Sequence, residues 1–201
     1  LPLVSITIIF PLFFTLILNE LWKKKEHPLI NISVLFFGII YVVLPFYLAV
    51  DLNLRNDQFM PSVIGMFILI WTNDTFAYLS GRAFGKTKLF ERISPKKTWE
   101  GTLGGILLTL LLGGVTADYL LGYLLMPGNL TPMASYHWYI IALLAAIAGT
   151  LGDLLESKFK RMAGIKDSGS ILPGHGGFLD RFDSILVTTP VIWLYIRLFL
   201  S

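Results

Sequence analysis

SKFKRMAGIKDSGSILPGHGGFLDRFD, residues 157–183, is a charged and glycine-rich segment that lies between two apolar runs. It contains five Lys or Arg residues, three Asp residues and one His. A polar segment between two apolar ones is typical of a loop that joins two membrane helices. Its density of charge makes it a candidate for chemistry on a phosphorylated substrate.

The composition of the whole chain indicates that its main solvent is lipid. Hydrophobic residues make up 55% of the 201 residues and charged residues 14%, against roughly 25% charged in an average soluble protein. The mean hydropathy is +0.70. Too few polar side chains are present to cover a water-soluble globule. The chain has no cysteine, which excludes disulfides, thiolate metal sites and a cysteine nucleophile.

Six apolar runs are long enough to cross about 30 Å of hydrocarbon as helices. We therefore predict an all-α, polytopic integral membrane protein with about six transmembrane helices, whose polar cytoplasmic loops form the active site. The runs are Leu1–Leu21, Leu29–Val50, Met60–Ser80, Thr102–Met126, Tyr136–Glu156 and Ile185–Leu200.

The runs divide into an N-terminal part, residues 1–60, and a catalytic region, residues 61–201, that carries the loops 81–101 and 157–183. The chain begins directly in an apolar run with no basic segment before it. We therefore expect a truncated N-terminus rather than a signal peptide.

The charges of the five connecting loops predict their sides of the membrane. In chain order the loops contain 3, 1, 6, 0 and 5 Lys or Arg residues. This alternation places the first, third and fifth loops in the cytoplasm by the positive-inside rule. The two most basic loops, 81–101 and 157–183, would then share one face and could form one site.

Asp74 is a carboxylate within an otherwise apolar run, with Tyr78 on the same helical face. Such a group costs at least ~2.5 kcal/mol in a membrane helix unless it is paired or hydrated, which favours a functional role. The alternatives are an Asp shallow enough to reach headgroup water, or one paired structurally with a Lys.

Asp153 lies near the end of the fifth run, on one helical stripe with Glu156, Ser157 and Lys160. A solvated helix end with a Glu156–Lys160 pair would explain those two residues better than it explains Asp153. Mg²⁺ commonly binds one or two protein carboxylates together with substrate phosphate oxygens. Asp153 and a second Asp from residues 157–183 would meet that requirement.

The segment 157–183 and the segment before the fourth run both carry features of a phosphate site. Glycines on either side of His175 let backbone N–H groups turn toward an anion. Asp183 could equally cap the sixth helix, and a lone His is more often a surface hydrogen-bonding residue. Residues 94–98, SPKKT, precede a helix start and could hold a polyphosphate, whereas Lys88 and Arg92 are better explained by contacts with lipid headgroups.

Taken together, these motifs resemble the CDP-diacylglycerol synthase (phosphatidate cytidylyltransferase) family over roughly the C-terminal two thirds of the chain. The signature residues within 157–183 are Ser157, Lys160-Arg161, Lys166-Asp167, Pro173, His175-Gly176-Gly177, Asp180-Arg181 and Asp183. The matching upstream residues are Asn73-Asp74, Ala77-Tyr78, Gly81-Arg82, Gly85-Lys86, Ser94-Pro95-Lys96-Lys97-Thr98, Glu100-Gly101, Gly152-Asp153 and Glu156.

The resemblance implies a homodimeric membrane enzyme that transfers CMP from CTP to phosphatidic acid and releases pyrophosphate. It implies Mg²⁺ as the cofactor, with K⁺ as a second cation, a location in the inner membrane of a bacterium with the site facing the cytoplasm, and no nucleic-acid partner. The expected metal ligands are Asp153, Asp180 and Asp183. Asp153 and Asp180 are also expected to act in catalysis, together with Lys166, His175 and Arg181. The expected substrate contacts are Asp74, Tyr78, Arg82, Lys86, Ser94, Lys96, Lys97, Thr98, Glu156, Ser157, Lys160, Arg161, Gly176 and Gly177.

Two other functions fit parts of the pattern. A transporter could use Asp74 and Asp153 as an ion path, but it would spread its ionisable residues along a pore rather than beside basic loops. A CTP-dependent enzyme acting on a prenyl phosphate or an archaeal ether-lipid phosphate would share every polar motif. Hydrophobic grooves, which have no sequence motif, would distinguish the lipids.

Overall fold

The computed structural model describes residues 11, 14–22, 27–54, 61–113, 115, 135–169 and 177–200. The chain divides into two compact units, Leu1–Val43 and Leu44–Ser201. The first unit contains a 3₁₀ turn at Glu20–Trp22, helix α1 at Pro28–Gly38 and a π-helical turn at Ile39–Val43. Pro28 opens α1, where its missing N–H has no intrahelical partner to lose.

Within the described residues, the second unit consists mainly of five helices and one β-hairpin. The helices are α2 (Leu44–Leu54), α3 (Pro61–Phe84), α4 (Trp99–Leu108, continued by a π-helical turn at Thr109–Gly113), α5 (Ser135–Met162) and α6 (Leu179–Phe199). The antiparallel hairpin pairs β1 (Lys88–Phe90) with β2 (Ser94–Thr98). The core of this second unit lies between α3, α5 and α6, where Met66, Ile141 and Ile192 are fully buried.

Four stretches of the described chain are helical, apolar and long enough to cross a membrane: Pro28–Asn53, Val63–Phe84, Tyr136–Met162 and Leu179–Phe199. Helix α4 with its π-helical turn is a shorter apolar helix, Trp99–Gly113. These helices confirm an all-α polytopic membrane protein. Most of the first predicted run and the second half of the fourth lie outside the described residues.

Two helices extend further into the charged segment than the hydropathy pattern predicts. Helix α5 continues to Met162 and ends in a Schellman motif, in which Gly164 has a left-handed φ of 69° and the Ile165 N–H donates to the Lys160 carbonyl at 2.9 Å. Helix α6 begins at Leu179, six residues before the predicted Ile185. The reason is that charged residues facing a cavity are compatible with a helix, although they interrupt the apolar pattern.

The segment that joins α3 to α4 is folded rather than extended. The Thr98 hydroxyl caps α4 by accepting from the Gly101 N–H at 3.1 Å. The Glu100 carboxylate accepts from the backbone N–H groups of Lys86 and Thr87, each at 3.1 Å. The Glu100 contacts join the start of α4 to the residues that follow α3, and they close the loop that contains the hairpin.

Helices α3 and α4 approach each other through glycines. A Cβ at Gly101 would lie 2.7 Å from the Ala77 carbonyl oxygen and 2.9 Å from the Gly81 Cα atom. Real side chains essentially never approach backbone atoms so closely. The close contact brings the hairpin at the N-terminus of α4 beside the polar end of α3.

Candidate active site

A cavity of about 580 Å³ opens at the polar ends of α3, α4, α5 and α6. Its volume lies within the range of small-molecule sites. The two most basic segments of the sequence both contribute to it, as the loop charges predict. The residues expected from the sequence that line it are Asp74, Tyr78, Arg82, Lys96, Lys97, Thr98, Asp153, Asp180, Arg181 and Asp183.

Three carboxylates from three different helices face this cavity. Asp74 comes from α3, Asp153 from α5 and Asp183 from α6. They are close enough that Asp153 repels each of the other two electrostatically. Like charges are held together in this way only where cations or hydrogen-bond donors balance them.

Lys97 supplies one of the balancing charges. Its ammonium group forms an ion pair with Asp153 Oδ2, while the Ser157 hydroxyl donates to Asp153 Oδ1 at 3.2 Å. Lys97 stands on β2, one residue before the cap of α4, so the fold of the hairpin determines where this cation lies. The ion pair therefore links the hairpin to α5 across the cavity.

Asp180 is held differently from the other three carboxylates. Its Oδ2 accepts from the Ser168 N–H at 2.8 Å, the Ser168 hydroxyl at 3.0 Å and the Gly177 N–H at 2.7 Å. Its Oδ1 accepts from Lys160 Nζ at 2.7 Å. Both oxygens thus already bind donors from the protein, although Asp180 also lines the cavity.

Glu156 forms the predicted i,i+4 ion pair with Lys160, whose Nζ lies 2.5 Å from Glu156 Oε2. The Glu156 side chain is only 1% exposed. Such burial favours a role through Lys160 over direct contact with a substrate.

The remaining predicted site residues of the described chain lie outside the cavity lining or only beside it. Lys86 contributes its backbone N–H to Glu100, Ser94 pairs with Phe90 in the hairpin, and Arg161 donates to the Ile165 carbonyl at 3.4 Å. Lys166 is exposed on the segment after α5. His175 and Gly176 fall outside the described residues, so their predicted roles stay predictions.

Two contacts near the cavity involve residues that the sequence analysis did not single out. Ser168 binds Asp180 through both its backbone and its hydroxyl. Thr150 accepts from the buried Asn73 side chain at 3.3 Å and ties α5 to α3 beside Asp74. A Ser in a polar loop and a Thr in an apolar helix give no sequence signal, since only the fold brings their partners to them.

The carboxylates have the chemistry that Mg²⁺ requires, although the protein alone does not complete a binding site. Within the described residues, no group of three or more His, Asp or Glu side chains is arranged to hold a metal ion. Mg²⁺ usually takes one or two carboxylates and fills its other positions with water and substrate phosphate oxygens. Asp153 and the neighbouring Asp183 fit that pattern. The Lys97 ammonium group now pairs with Asp153, and a metal cation could take its place.

Comparison with known proteins gives consistent matches along the chain. A family model described as the cytidylyltransferase family matches residues 1–199. The chain is 38% identical over 179 residues to a phosphatidate cytidylyltransferase of Haemophilus influenzae, an alignment that covers 85% of this chain and 58% of the relative. It is 34% identical over 188 residues to the Bacillus subtilis protein of the same name, with coverage of 94% and 65%.

A third relative, the phosphatidate cytidylyltransferase of Rickettsia bellii, is 35% identical over 201 residues, with coverage of 94% of this chain and 82% of the relative. This chain therefore spans about 58% and 65% of the length of the first two relatives, and more of the third.

Proposed function

Because this chain belongs to the cytidylyltransferase family, we propose that it transfers CMP from CTP to phosphatidic acid, giving CDP-diacylglycerol and pyrophosphate. One observation supports this proposal above the others: acidic and basic side chains from four segments meet in one cavity at the ends of membrane helices. A reaction between a lipid headgroup and a nucleotide needs a polar site at the ends of the membrane helices, where the headgroup and the water-soluble nucleotide can meet.

The basic residues of the cavity would reduce the electrostatic repulsion that is the main obstacle to this reaction. Phosphatidate already carries an anionic oxygen, so a strong general base is not required. The obstacle is bringing that anion to the α-phosphorus of another anion, which positioning and fixed positive charge overcome. Arg82, Lys96, Lys97 and Arg181 line the cavity and would supply that charge.

We further propose that Asp153 and Asp183 hold Mg²⁺ in this cavity, with Asp74 close by and K⁺ as a second cation of the same site. The metal would neutralise phosphate oxygens and favour departure of pyrophosphate. With a cation held by Asp153, the Lys97 ammonium group would be free to contact a phosphate. Asp180 would contribute mainly through the hydrogen bonds that it already accepts.

The cavity also has an apolar side that suits a lipid substrate. Trp71 and Tyr78 of α3 line it and are 64% and 63% exposed. In a membrane these side chains would face acyl chains, while the headgroup reaches the carboxylates and cations. Aromatic residues with one polar atom are favoured at such interfaces.

For the assembly we propose a homodimer in the bacterial inner membrane, with the cavity facing the cytoplasm. The basic segments that flank the cavity support this orientation by the positive-inside rule. The relatives come from bacteria, which supports the inner membrane of a bacterium as the location.

The test of this proposal is pyrophosphate release by purified protein in mixed micelles, with CTP and a panel of lipid phosphates. We expect release with phosphatidic acid and little with a prenyl phosphate or an ether-lipid phosphate. Faster turnover of another lipid would reassign the substrate. Absence of release with every lipid, from a protein that moves ions across vesicles, would support a transporter instead.

A further inference from the structure

A buried carboxylate, Glu156, lies close to the cavity without lining it, and its position suggests how the site is held in place. Glu156 is 1% exposed, and Lys160 Nζ lies 2.5 Å from its Oε2. The same Nζ donates to Asp180 Oδ1 at 2.7 Å. One ammonium group therefore bridges two carboxylates, one on α5 and one on the first turn of α6.

The Asp180 end of this bridge organises the backbone beside it. Oδ2 of Asp180 accepts from the Ser168 N–H and the Gly177 N–H, so the segment after α5 and the residues just before α6 meet at one carboxylate. The meeting is tight, since a Cβ at Gly177 would lie 2.2 Å from Ser168 Oγ and 2.5 Å from the Gly169 nitrogen. Only glycine fits at position 177 with this geometry.

The bridge also fixes α5 against α6 next to the cavity. One turn nearer the membrane centre, a Cβ at Gly152 would lie 2.7 Å from the Asp183 carbonyl oxygen, so the helices touch there as well. Asp153 is the residue next to Gly152, and Asp183 is the residue whose carbonyl oxygen Gly152 faces, so this contact sets the relative position of the two aspartates. Any sliding of α6 along α5 would change the separation of their carboxylates.

We propose that Glu156 and Lys160 are positioning residues that act on the active site through Asp180. We call Glu156, Lys160 and Asp180 the α5–α6 clamp. Glu156 orients the Lys160 ammonium group, Lys160 orients Asp180, and Asp180 holds the first turn of α6, which presents Arg181 and Asp183 to the cavity. This proposal rests on the proposed function for its activity readout.

Steady-state kinetics of Lys160→Met, Lys160→Arg and Glu156→Gln test the clamp, with the exposed Lys158→Met as the matched control. A displacement of catalytic groups by about 1 Å can lower turnover about 100-fold. We expect a loss of that size in kcat for Lys160→Met with the KM for CTP changed by less than about threefold, which is the signature of a group that does not bind the ground-state substrate. Lys160→Arg should recover a large part of kcat, and Lys158→Met should match the parent.

The double variant Glu156→Gln/Lys160→Met tests whether Glu156 acts through Lys160. Residues that act in series are not additive, so the double variant should lose no more kcat than Lys160→Met alone. Losses that multiply would overturn the proposal. A raised KM for CTP with unchanged kcat in Lys160→Met would overturn it too, because it would indicate direct substrate contact.

A spin label provides a readout that does not depend on activity. The chain has no cysteine, so Gly169→Cys would give a single attachment site, and a Cβ there meets only Gly177 Cα at 3.6 Å. We expect an immobilised nitroxide in the parent background and a mobile one with Lys160→Met. Equal spectra in both backgrounds would contradict the clamp even if the parent protein showed no cytidylyltransferase activity, so the two proposals fail separately.

Discussion

Lys97 and Asp153 form the ion pair on which the proposed reaction would depend most. The ion pair joins β2 to α5 across the space where acidic and basic groups meet. Each partner has a second use in the proposed reaction, Asp153 toward a metal ion and Lys97 toward a phosphate. A partly exposed pair of this kind can exchange partners, because neither group is sealed away from the cavity.

We predict that Lys97→Met lowers kcat/KM for CTP by about 10²–10³, the usual effect of removing one preorganised charge from a reacting phosphate or oxyanion. Measuring the CTP dependence of product formation checks this. Lys88→Met, an exposed lysine on β1, is the control and should stay within about threefold of the parent. Equal losses in both variants would indicate a general dependence on basic charge rather than a specific role of Lys97.

Glu100 gives the hairpin a dependence on pH. Hydrogen bonds from its own backbone N–H, from the Lys86 N–H and from Thr87 lower the pKa of its carboxyl from 4.5 to about 2. A lowered pKa in the folded state means that the contact stabilises the hairpin fully above about pH 4.5 and is lost as the pH falls toward 2.

We therefore expect the hydrogen-exchange protection factors of the Lys86 and Thr87 amides to decline between about pH 4.5 and 2 in the parent protein. In Glu100→Gln, which has no titrating carboxyl, protection should be lower at neutral pH and should not change across that range. Protection with the same pH profile in both proteins would show that Glu100 does not hold these amides.

At the scale of elements, the contact between α3 and α4 positions the hairpin and therefore Lys97. Gly101 faces the Ala77 carbonyl oxygen and Gly81 Cα. These are backbone atoms, so a larger residue could be accommodated only if the helices moved apart. Small residues at such crossings are the usual means of close helix packing in membranes.

We expect Gly101→Ala to lower the free energy of unfolding by about 1–3 kcal/mol, the typical effect of overpacking. Gly38→Ala is the matched control, because a Cβ at Gly38 meets nothing within 4 Å, and alanine there should be neutral or stabilising by up to about 1 kcal/mol. Thermal unfolding in detergent measures both. Equal shifts would mean that the α3–α4 contact is not tight.

Helix boundaries show where the sequence is informative at this scale and where it is not. Hydropathy alone predicts α3 and most of α5, and helical spacing predicts the Glu156–Lys160 pair, because these depend on residues close in sequence. The hydropathy pattern misses the start of α6, where charged side chains face a cavity rather than bulk water. It also misses the hairpin and the binding of Ser168 by Asp180, because only the packed fold creates those contacts.

At the scale of the whole molecule, the described chain places its hairpin and the start of α6 around the same cavity. The grouping of these two basic segments follows from loop charge and the order of apolar runs, so the sequence predicts it. Loop charge does not predict which face of α3 completes the site, because helix rotation is set by packing rather than by hydropathy. Asp74 and Tyr78 are predicted separately, from a carboxylate within an apolar run and a residue on the same helical face.

The shared side of these segments can be measured directly in the cysteine-free chain. We predict that Arg92→Cys in the hairpin loop and Lys158→Cys on α5 are both protected from a membrane-impermeant maleimide in intact cells. Both should be labelled after the inner membrane is permeabilised. Labelling of one but not the other in intact cells would place the two segments on opposite sides and would exclude a common cavity.

The most direct test of the central claim follows radioactivity from [α-³²P]CTP into lipid in the presence of phosphatidic acid and Mg²⁺. We expect the parent protein and the exposed-carboxylate control Glu91→Gln to form labelled CDP-diacylglycerol at similar rates. Asp153→Asn should lose activity by at least about 10³-fold, because it removes a charge that both Lys97 and the proposed metal require. Undiminished labelling of lipid by Asp153→Asn would contradict the account.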